Sequence, residues 1–277
     1  MARDLLSPTV LLDETPAAVR RSARWLGLLW FTALPLHFSQ AYFFREVFRL
    51  GSAAREYGDH LAGLALVSLV ALLPAVWGRA VFVRACLLGL QSGAPPGREA
   101  LRVPAPVLLV TLYTSLLVEV AFYATVWTYV AIPCIAVLGG LAAATAHRAE
   151  RPGLLRPLRE IGAELAHPGP IVSLLFTYGV ALVVAMINVY VLFLLGLWAT
   201  GSVAGDDLSR WEHLLRPSKG LPILPAEGLA RWIVLTGAVT FVEPFWLASF
   251  AVLSHRSRLR ETGEDLRSWF LRLTQAR

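Results

Sequence analysis

Six long segments with almost no charged residues limit what this chain can fold into more than any other feature does. Each is close to the ~20 residues that an α-helix needs to cross the ~30 Å hydrocarbon core of a bilayer. Inside lipid no water can bond to backbone N–H and C=O groups, so a segment of this length must satisfy them within a helix. The predicted spans cover residues 25–44, 61–78, 104–123, 128–146, 171–199 and 231–253. The sequence therefore predicts an all-α, polytopic membrane bundle of six transmembrane helices, which forms one integral membrane domain over residues 1–277.

The composition is typical of a chain that lipid surrounds. The chain is 56% hydrophobic and 16% charged, with a mean hydropathy of +0.60, whereas soluble domains carry about 25% charged residues. The net charge of +6 is not gathered into a basic patch with interleaved aromatics, so we expect membrane phosphates rather than nucleic acid as counter-charges. Lys219 is the single lysine among 25 basic residues, a bias typical of GC-rich bacterial genomes. We therefore expect a multi-pass protein of a bacterial cytoplasmic (inner) membrane.

The basic residues predict the orientation of the chain. With six crossings and the N-terminus in the cytoplasm, eighteen of the 25 Lys and Arg residues fall in inner segments and seven in outer ones. Both termini are therefore predicted to be cytoplasmic, including the tail at 254–277. Residues 168–205 carry no charge and could form one tilted helix with a loop or a hairpin. We expect one helix, because a hairpin would place the arginine-rich tail outside the cell.

Amphipathic segments outside the spans predict helices that lie in the headgroup layer. Apolar residues recur at helical spacing in an inner segment at 155–165, an outer one at 206–216 and the tail at 262–273. Near the N-terminus, Thr15 followed by Pro16 predicts the start of a basic helix that runs into the first span. We favour lipid contact for these helices. The alternative is that the inner segment and the tail form a docking face for a cytosolic partner.

Two acidic residues inside the apolar spans, Glu119 and Glu243, are the leading candidate functional residues. A carboxylate at membrane depth costs several kcal/mol, about 2.5–3.5 on insertion scales, so each should face the protein interior and be protonated, paired or hydrated. Polar side chains at helical spacing predict inward-facing stripes on three spans: Thr111, Ser115, Glu119 and Tyr123; Thr236, Thr240 and Glu243; Ser173, Thr177 and Asn188.

Two interpretations of these residues remain open. In the functional one, Glu119 and Glu243, with Asn188 as a further candidate ligand, line a proton or cation path or hold the cationic head of a bound molecule. In the structural one, protonated Glu243 bonds to backbone freed by Pro244, and Glu119 bonds to a neighbouring helix's hydroxyl or to Asn188. We favour the structural interpretation, because a path needs polar groups along its whole length whereas two acids are enough to join helices.

Motifs of enzymatic chemistry are not found in the sequence. It has no Gly-rich nucleotide loop, no G-x-S-x-G elbow, no H-E-x-x-H pair and no cysteine cluster with metal-ligand spacing. The histidines, His37 among them, are interpreted as scattered residues at or near span ends. Cys86 and Cys134 are interpreted as two inert buried thiols. The sequence therefore predicts no enzyme, no cofactor and no metal site.

The end of the chain carries a longer pattern. Pro244 lies in the last predicted span, and a run matching R-x-R-x-E-G-x-D-L begins fourteen residues later. Thr262 replaces the Glu of that pattern, and Ser254 and Arg256 stand where Tyr and Asp are usual. The matching residues are Arg258, Arg260, Gly263, Asp265 and Leu266, and Ile132, Pro133, Glu150 and the run Leu11-Leu12-Asp13-Glu14 also fit. The chain thus resembles bacterial and archaeal multi-span membrane proteins related to the membrane-anchoring region of glycerophosphodiester phosphodiesterases.

That resemblance implies a protein without a catalytic domain that acts as a scaffold or assembly partner, with AAA-type ATPase systems among the possible associates. It also implies a set of partner-binding residues in the tail: Arg258, Arg260, Gly263, Asp265 and Trp269.

Taken together, the sequence predicts a noncatalytic integral membrane protein that is a structural or partner-binding component of a membrane complex. The alternative is a transporter or channel subunit in which Glu119 and Glu243 bind a proton or cation. A lipid-processing enzyme is a distant third. The partners are the lipid bilayer and other membrane or cytosolic proteins, and the sequence leaves the oligomeric state open.

Overall fold

The computed structural model describes residues 8–51, 56–125, 168–204 and 228–262. All regular structure in these residues is helical, which confirms the predicted all-α class for this part of the chain. Two short 3₁₀ turns, Ala23–Trp25 and Arg98–Leu101, join longer elements. The α-helices are α1 (Pro8–Arg21), α2 (Leu26–Leu50), α3 (Gly58–Ser92), α4 (Ala105–Thr125), α5 (Pro168–Ala204) and α6 (Gly228–Thr262).

Three of the described helices are long and apolar enough to cross a membrane. They are α3 over its whole length, Ile171–Gly201 within α5 and Ala230–Leu259 within α6. These stretches contain three of the predicted spans, at 61–78, 171–199 and 231–253. Helix α5 is continuous, so the uncharged stretch that could have been a hairpin is a single helix, as expected.

The remaining predicted spans are placed as follows. The span at 104–123 lies on α4, which has 21 residues and an apolar stretch over Ala105–Leu117. The span at 25–44 lies almost wholly on α2, which is not among the three candidates and contains polar residues such as His37 and Gln40. The span at 128–146 lies outside the described residues, as do the amphipathic segments at 155–165 and 206–216.

The N-terminal helix differs from the prediction in both of its ends. It begins at Pro8, so Thr15 is not an N-cap but an interior residue, whose hydroxyl donates to the Leu11 carbonyl at 2.7 Å. It stops at Arg21, and a 3₁₀ turn separates it from α2, so the predicted continuation into the first span is wrong. Sequence alone favours the Thr-Pro start signal, but burial of one face of α1 decides the outcome. That face consists of Leu11, Thr15, Ala18 and Val19, with 0 to 5% exposure.

Glycine ends two of the helices. Gly51 follows α2 and Gly93 follows α3, and both have positive φ (53° and 70°), a conformation that costs glycine little. The Gly93 N–H donates to the Gly89 carbonyl at 3.1 Å, the bond of a left-handed C-cap.

The chain divides into two compact units, and each takes segments of several helices. Among the described residues, unit one contains 8–29, 76–125, 168–175 and 244–262. Much of its interior is apolar, with fully buried residues on α3 and α6. They include Val81, Phe82, Cys86, Phe250 and Val252.

Unit two contains the described residues 30–51, 56–75, 176–204 and 228–243. On α6, Trp232 stacks with both Phe44 and Phe48 of α2, at centroid distances of 6.4 and 6.3 Å. A Cβ on Gly237 would lie 2.9 Å from a Val189 methyl group, so a residue without a side chain permits the close approach of α5 and α6. The α2, α5 and α6 segments are thereby fixed around one interior.

Candidate functional site

Polar side chains of α2 and α6 meet in the interior of unit two. His37 of α2 and Thr240 and Glu243 of α6 expose only 6, 8 and 7% of their surface. On α6 the polar face begins one turn earlier, at Thr236, and follows the four- and three-residue steps of a helix. On α2, His37 lies on the buried face with Ala33 and Leu36. We call His37, Thr240 and Glu243 the His–Thr–Glu cluster.

A chain of hydrogen bonds determines which nitrogen of His37 carries a proton. The Thr240 hydroxyl donates to the Thr236 carbonyl at 2.8 Å. His37 Nδ1 lies 2.9 Å from the same hydroxyl oxygen. Because a hydroxyl has one hydrogen to donate, this oxygen must accept from Nδ1–H. The other ring nitrogen, Nε2, is therefore the one that can accept or release a proton toward its own neighbour.

That neighbour is the carboxyl group of Glu243. His37 Nε2 lies 3.6 Å from Glu243 Oε2, a distance within the range of an ion pair but longer than a hydrogen bond. Two arrangements are electrically neutral: imidazole beside carboxylic acid, or imidazolium beside carboxylate. Each of these two arrangements contains one proton more than imidazole beside carboxylate. Imidazole beside carboxylate would leave a net negative charge in the interior.

His37 is a functional candidate that the sequence interpretation missed. It was assigned to a span end, but it lies near the middle of α2. The available signal was that an ionisable residue within an apolar helix is rare and commonly functional. The sequence could not show that His37 faces Glu243, because the two residues are 206 positions apart.

Glu119 is buried in unit one, with 6% of its surface exposed. It lies on α4 in a buried stripe with Thr111 and Ser115, spaced by four residues. The Thr111 hydroxyl donates to the Val107 carbonyl within α4, at 2.7 Å. The Thr114 hydroxyl bonds to the same helix, at 2.8 Å from the Val110 carbonyl. These threonines therefore satisfy their hydrogen-bonding groups locally.

Asn188 and the tail residues are placed differently from the two glutamates. Asn188 is exposed on α5, and its side-chain amide donates to the Val184 carbonyl at 2.8 Å. Ala185, one turn earlier, is buried. The predicted inward-facing stripe of α5 therefore does not include Asn188. Arg258 is exposed near the end of α6. Arg260 lies in the last turn of α6, and Gly263, Asp265 and Trp269 lie outside the described residues.

Charged side chains of unit one other than Glu119 make contacts between its elements. The Arg256 guanidinium of α6 pairs with the Glu14 carboxylate of α1 through two hydrogen bonds, one of them 3.0 Å from Nε to Oε2. Arg84 Nε donates to the Glu99 carbonyl at 3.2 Å. Hydrogen bonds from the backbone N–H groups of Glu99 itself and of Gly97 lower the pKa of the Glu99 carboxyl, and nearby guanidinium charges act in the same direction.

The described residues contain no group of three or more His, Cys, Asp or Glu side chains that could hold a metal ion. Cys86 is a fully buried free thiol on α3, and Cys134 lies outside the described residues. In the His–Thr–Glu cluster, the imidazole and the carboxyl group are both able to bind and release a proton.

Comparison of the chain with protein-family models, curated protein sequences and solved structures gives no match. The resemblance to the membrane-anchoring region of glycerophosphodiester phosphodiesterases stays a prediction from the sequence, based on the tail pattern and on the matching residues in the middle and at the start of the chain.

Proposed function

We propose that this chain is a noncatalytic integral membrane protein that serves as a structural, partner-binding component of a membrane complex. The observation that carries the proposal is the surface of α5. Only 17% of its most apolar 18-residue stretch is buried. Large apolar side chains project from it with exposures of 74% for Phe176, 66% for Leu192 and 59% for Trp198. Water-soluble monomers rarely expose continuous apolar surface of this extent, so lipid or another protein must cover it.

The proposed setting is a bacterial cytoplasmic membrane that the chain crosses six times, with both termini in the cytoplasm. The distribution of arginine between inner and outer segments supports this orientation. Helices α3, α5 and α6 supply three of the crossings by length and hydropathy. A reporter fused after Arg277 tests the orientation, because a periplasmic signal would contradict it.

The proposed partners are other membrane or cytosolic proteins, with AAA-type ATPase systems among them. The tail pattern beginning at Arg258 supports a cytosolic partner, and the exposed face of α5 supports a membrane one. No soluble-enzyme motif competes with this assignment in the sequence.

Site-specific photo-crosslinking in cells tests the partner proposal directly. A photoreactive residue replaces Phe176 or Leu192 on the exposed face of α5. The matched control replaces Tyr190, which is 9% exposed and packs with Val234 inside unit two. A partner-binding component should give a discrete protein adduct at the exposed positions and only intramolecular products at the control. Adducts to lipid alone at both exposed positions, in a protein that purifies without companions, would contradict the proposal.

A second candidate function is a transporter or channel subunit that binds a proton or cation at Glu119 and Glu243. The burial of both carboxyl groups in the interiors of their units favours it. The double variant Glu119→Gln, Glu243→Gln separates the candidates. A scaffold should keep its partners in co-purification, whereas a proton-coupled transporter in liposomes should lose at least about tenfold in proton flux, the effect of about 1.4 kcal/mol.

A further inference from the structure

We propose that His37 and Glu243, held in register by Thr240, form a proton-binding site that keeps one shared proton inside the helix bundle. This inference deepens the second candidate function at Glu243, but it requires neither Glu119 nor measurable flux. It concerns binding at equilibrium, so a static proton that only joins two helices would satisfy it as fully as one that moves.

The first step of the argument is that His37 is already oriented for this role. Thr240 binds Nδ1–H and is itself fixed by the Thr236 carbonyl, so the ring cannot turn without breaking its hydrogen bond to Thr240. The ring therefore presents Nε2 toward the Glu243 carboxyl at 3.6 Å. The hydrogen-bond partner of one ring nitrogen sets the chemistry of the other.

The second step is that electrostatics favours one shared proton over none or two. With no shared proton the pair is imidazole and carboxylate and carries a charge of −1; with two it carries +1. Either charge would be poorly solvated, because His37 and Glu243 are both more than nine-tenths buried. With one proton the pair is neutral wherever the proton resides. The pair therefore titrates as a unit and not as two independent groups.

The third step concerns the other charges of unit two. On α2, Arg45, Glu46 and Arg49 begin eight residues beyond His37, about 12 Å along the helix, and Glu46 pairs with both arginines. Tyr42 is a further titratable group of α2. On the α6 segment of unit two the other charged residue is Arg231, twelve residues before Glu243. The α5 segment contributes only tyrosines as titratable groups, Tyr178 and Tyr190. The remaining titratable groups among the described residues of unit two lie at or just before the start of α3: Glu56, Tyr57, Asp59 and His60.

The proton is favoured over a metal cation as the ligand. One imidazole and one carboxylate are fewer ligands than the four of a structural zinc site or the six oxygens of a calcium site. Thr240 already uses its hydroxyl hydrogen and accepts from His37, so it is not placed to complete such a set.

Nuclear magnetic resonance of the wild-type protein in nanodiscs is the first test, and it needs no variant that could fail to fold. With ¹⁵N-labelled histidine, Nδ1 of His37 should be protonated across the neutral range. Because a coupled pair loses its two protons in two macroscopic steps, Nε2 and the carboxyl C=O infrared band of Glu243 should change at the same midpoints. An Nδ1 without a proton near neutral pH, or midpoints of Nε2 that differ from those of the carboxyl band, would overturn the proposal.

Variants provide the second test. Glu243→Gln should change the proton affinity of His37 Nε2 by at least about tenfold, the coupling expected for a pair that titrates together. His37→Gln should change the midpoint of the Glu243 carboxyl C=O band, because the group that is coupled to it has been removed. The matched controls are Glu119→Gln and His60→Gln, which remove a buried carboxyl and an exposed imidazole outside the cluster. An unchanged His37 midpoint in Glu243→Gln would sink the idea.

The two levels of the proposal can fail separately. Coupled titration without proton flux leaves the binding site standing and removes the transporter assignment. If proton flux survives in Glu243→Gln and the wild type shows coupled titration, the binding site again stands and the transporter assignment is again removed. Uncoupled titration removes the binding site whatever the flux.

Discussion

The ion pairs that join two helices differ in exposure between the two units. In unit one, Arg256 and Glu14 join the last helix to the first with side chains that remain 23 and 28% exposed. In unit two, His37 and Glu243 join α2 to α6 with side chains that are 6 and 7% exposed. A guanidinium is charged at every accessible pH, so its pair is best kept partly hydrated. An imidazole can give up its charge, and a pair that contains one can therefore be buried without a net ion.

The interiors differ in the same sense. Unit one is closed by apolar side chains such as Val81 and Phe82, and its buried Thr111 and Thr114 bond to carbonyl groups of their own helix, α4. Unit two places a polar cluster between helices, where it contributes specificity as well as stability. The comparison teaches that buried hydroxyl groups can be satisfied within one helix, whereas the buried ionisable pair of unit two needs two helices.

The largest expected effect is that of Glu243→Lys. A lysine would place a second cation-forming group beside His37, and neither could find a counter-charge within the cluster. We expect a loss of at least about 3–5 kcal/mol, a large part of the 5–15 kcal/mol that stabilises a typical protein. Retention of a monodisperse detergent-solubilised fraction after graded heating measures it. The control is Glu243→Gln, and equal stability of the two variants would contradict the buried pair.

The next effect is that of Phe82→Ala in unit one. Phe82 is fully buried, and truncation of such a phenylalanine costs about 3–5 kcal/mol through lost burial and the cavity that it leaves. The same heating assay measures the loss. Phe176→Ala is the matched control, because that side chain is 74% exposed and should be nearly neutral. Similar losses for both would mean that the two phenylalanines do not differ in packing.

A smaller effect is expected where helices α5 and α6 approach each other. Gly237→Ala would bring a Cβ to 2.9 Å from Val189, and overpacking of this kind costs about 1–3 kcal/mol. Gly179→Ala on α5 is the control, since no atom lies within 4 Å of its added Cβ. The control should be neutral or slightly stabilising, because alanine favours helices over glycine. A stabilised Gly237→Ala variant would show that unit two is looser than described.

The smallest effect belongs to the hydrated ion pair of unit one. Glu14→Gln should lower stability by no more than about 1 kcal/mol, because partly exposed pairs are screened by water and salt. The difference from the wild type should shrink further as ionic strength rises. Unfolding at low and high salt measures both trends. A large loss that is independent of salt would remove the contrast with His37 and Glu243.

The sequence foresaw the elements better than it foresaw their contacts. Hydropathy alone predicts α3, α5 and α6, because a long uncharged stretch has few alternatives to a helix. Local start signals were less reliable: Thr15 and Pro16 were predicted to open a helix that begins at Pro8, since burial of α1 outweighs an N-cap preference.

For the candidate site, the sequence likewise predicted individual residues better than the contacts between them. Helical spacing singled out Glu243 with Thr236 and Thr240, and the structure places all three on a buried face of α6. The same reasoning passed over His37, because a lone histidine between Leu36 and Phe38 carries no signal of what it faces. The Glu119 stripe could also be read from spacing, since residues four apart lie on one face of a helix.

By itself, the sequence determined which stretches form long apolar helices and which few ionisable side chains lie within them, because composition and spacing act locally along the chain. Only the tertiary structure decided that His37 meets Thr240 and Glu243, and that α6 ties to α1 through Arg256 and Glu14. Such pairings depend on how helices are rotated and offset against each other. That choice is made by the packing of many side chains at once, as where Gly237 admits Val189, and no single segment encodes it.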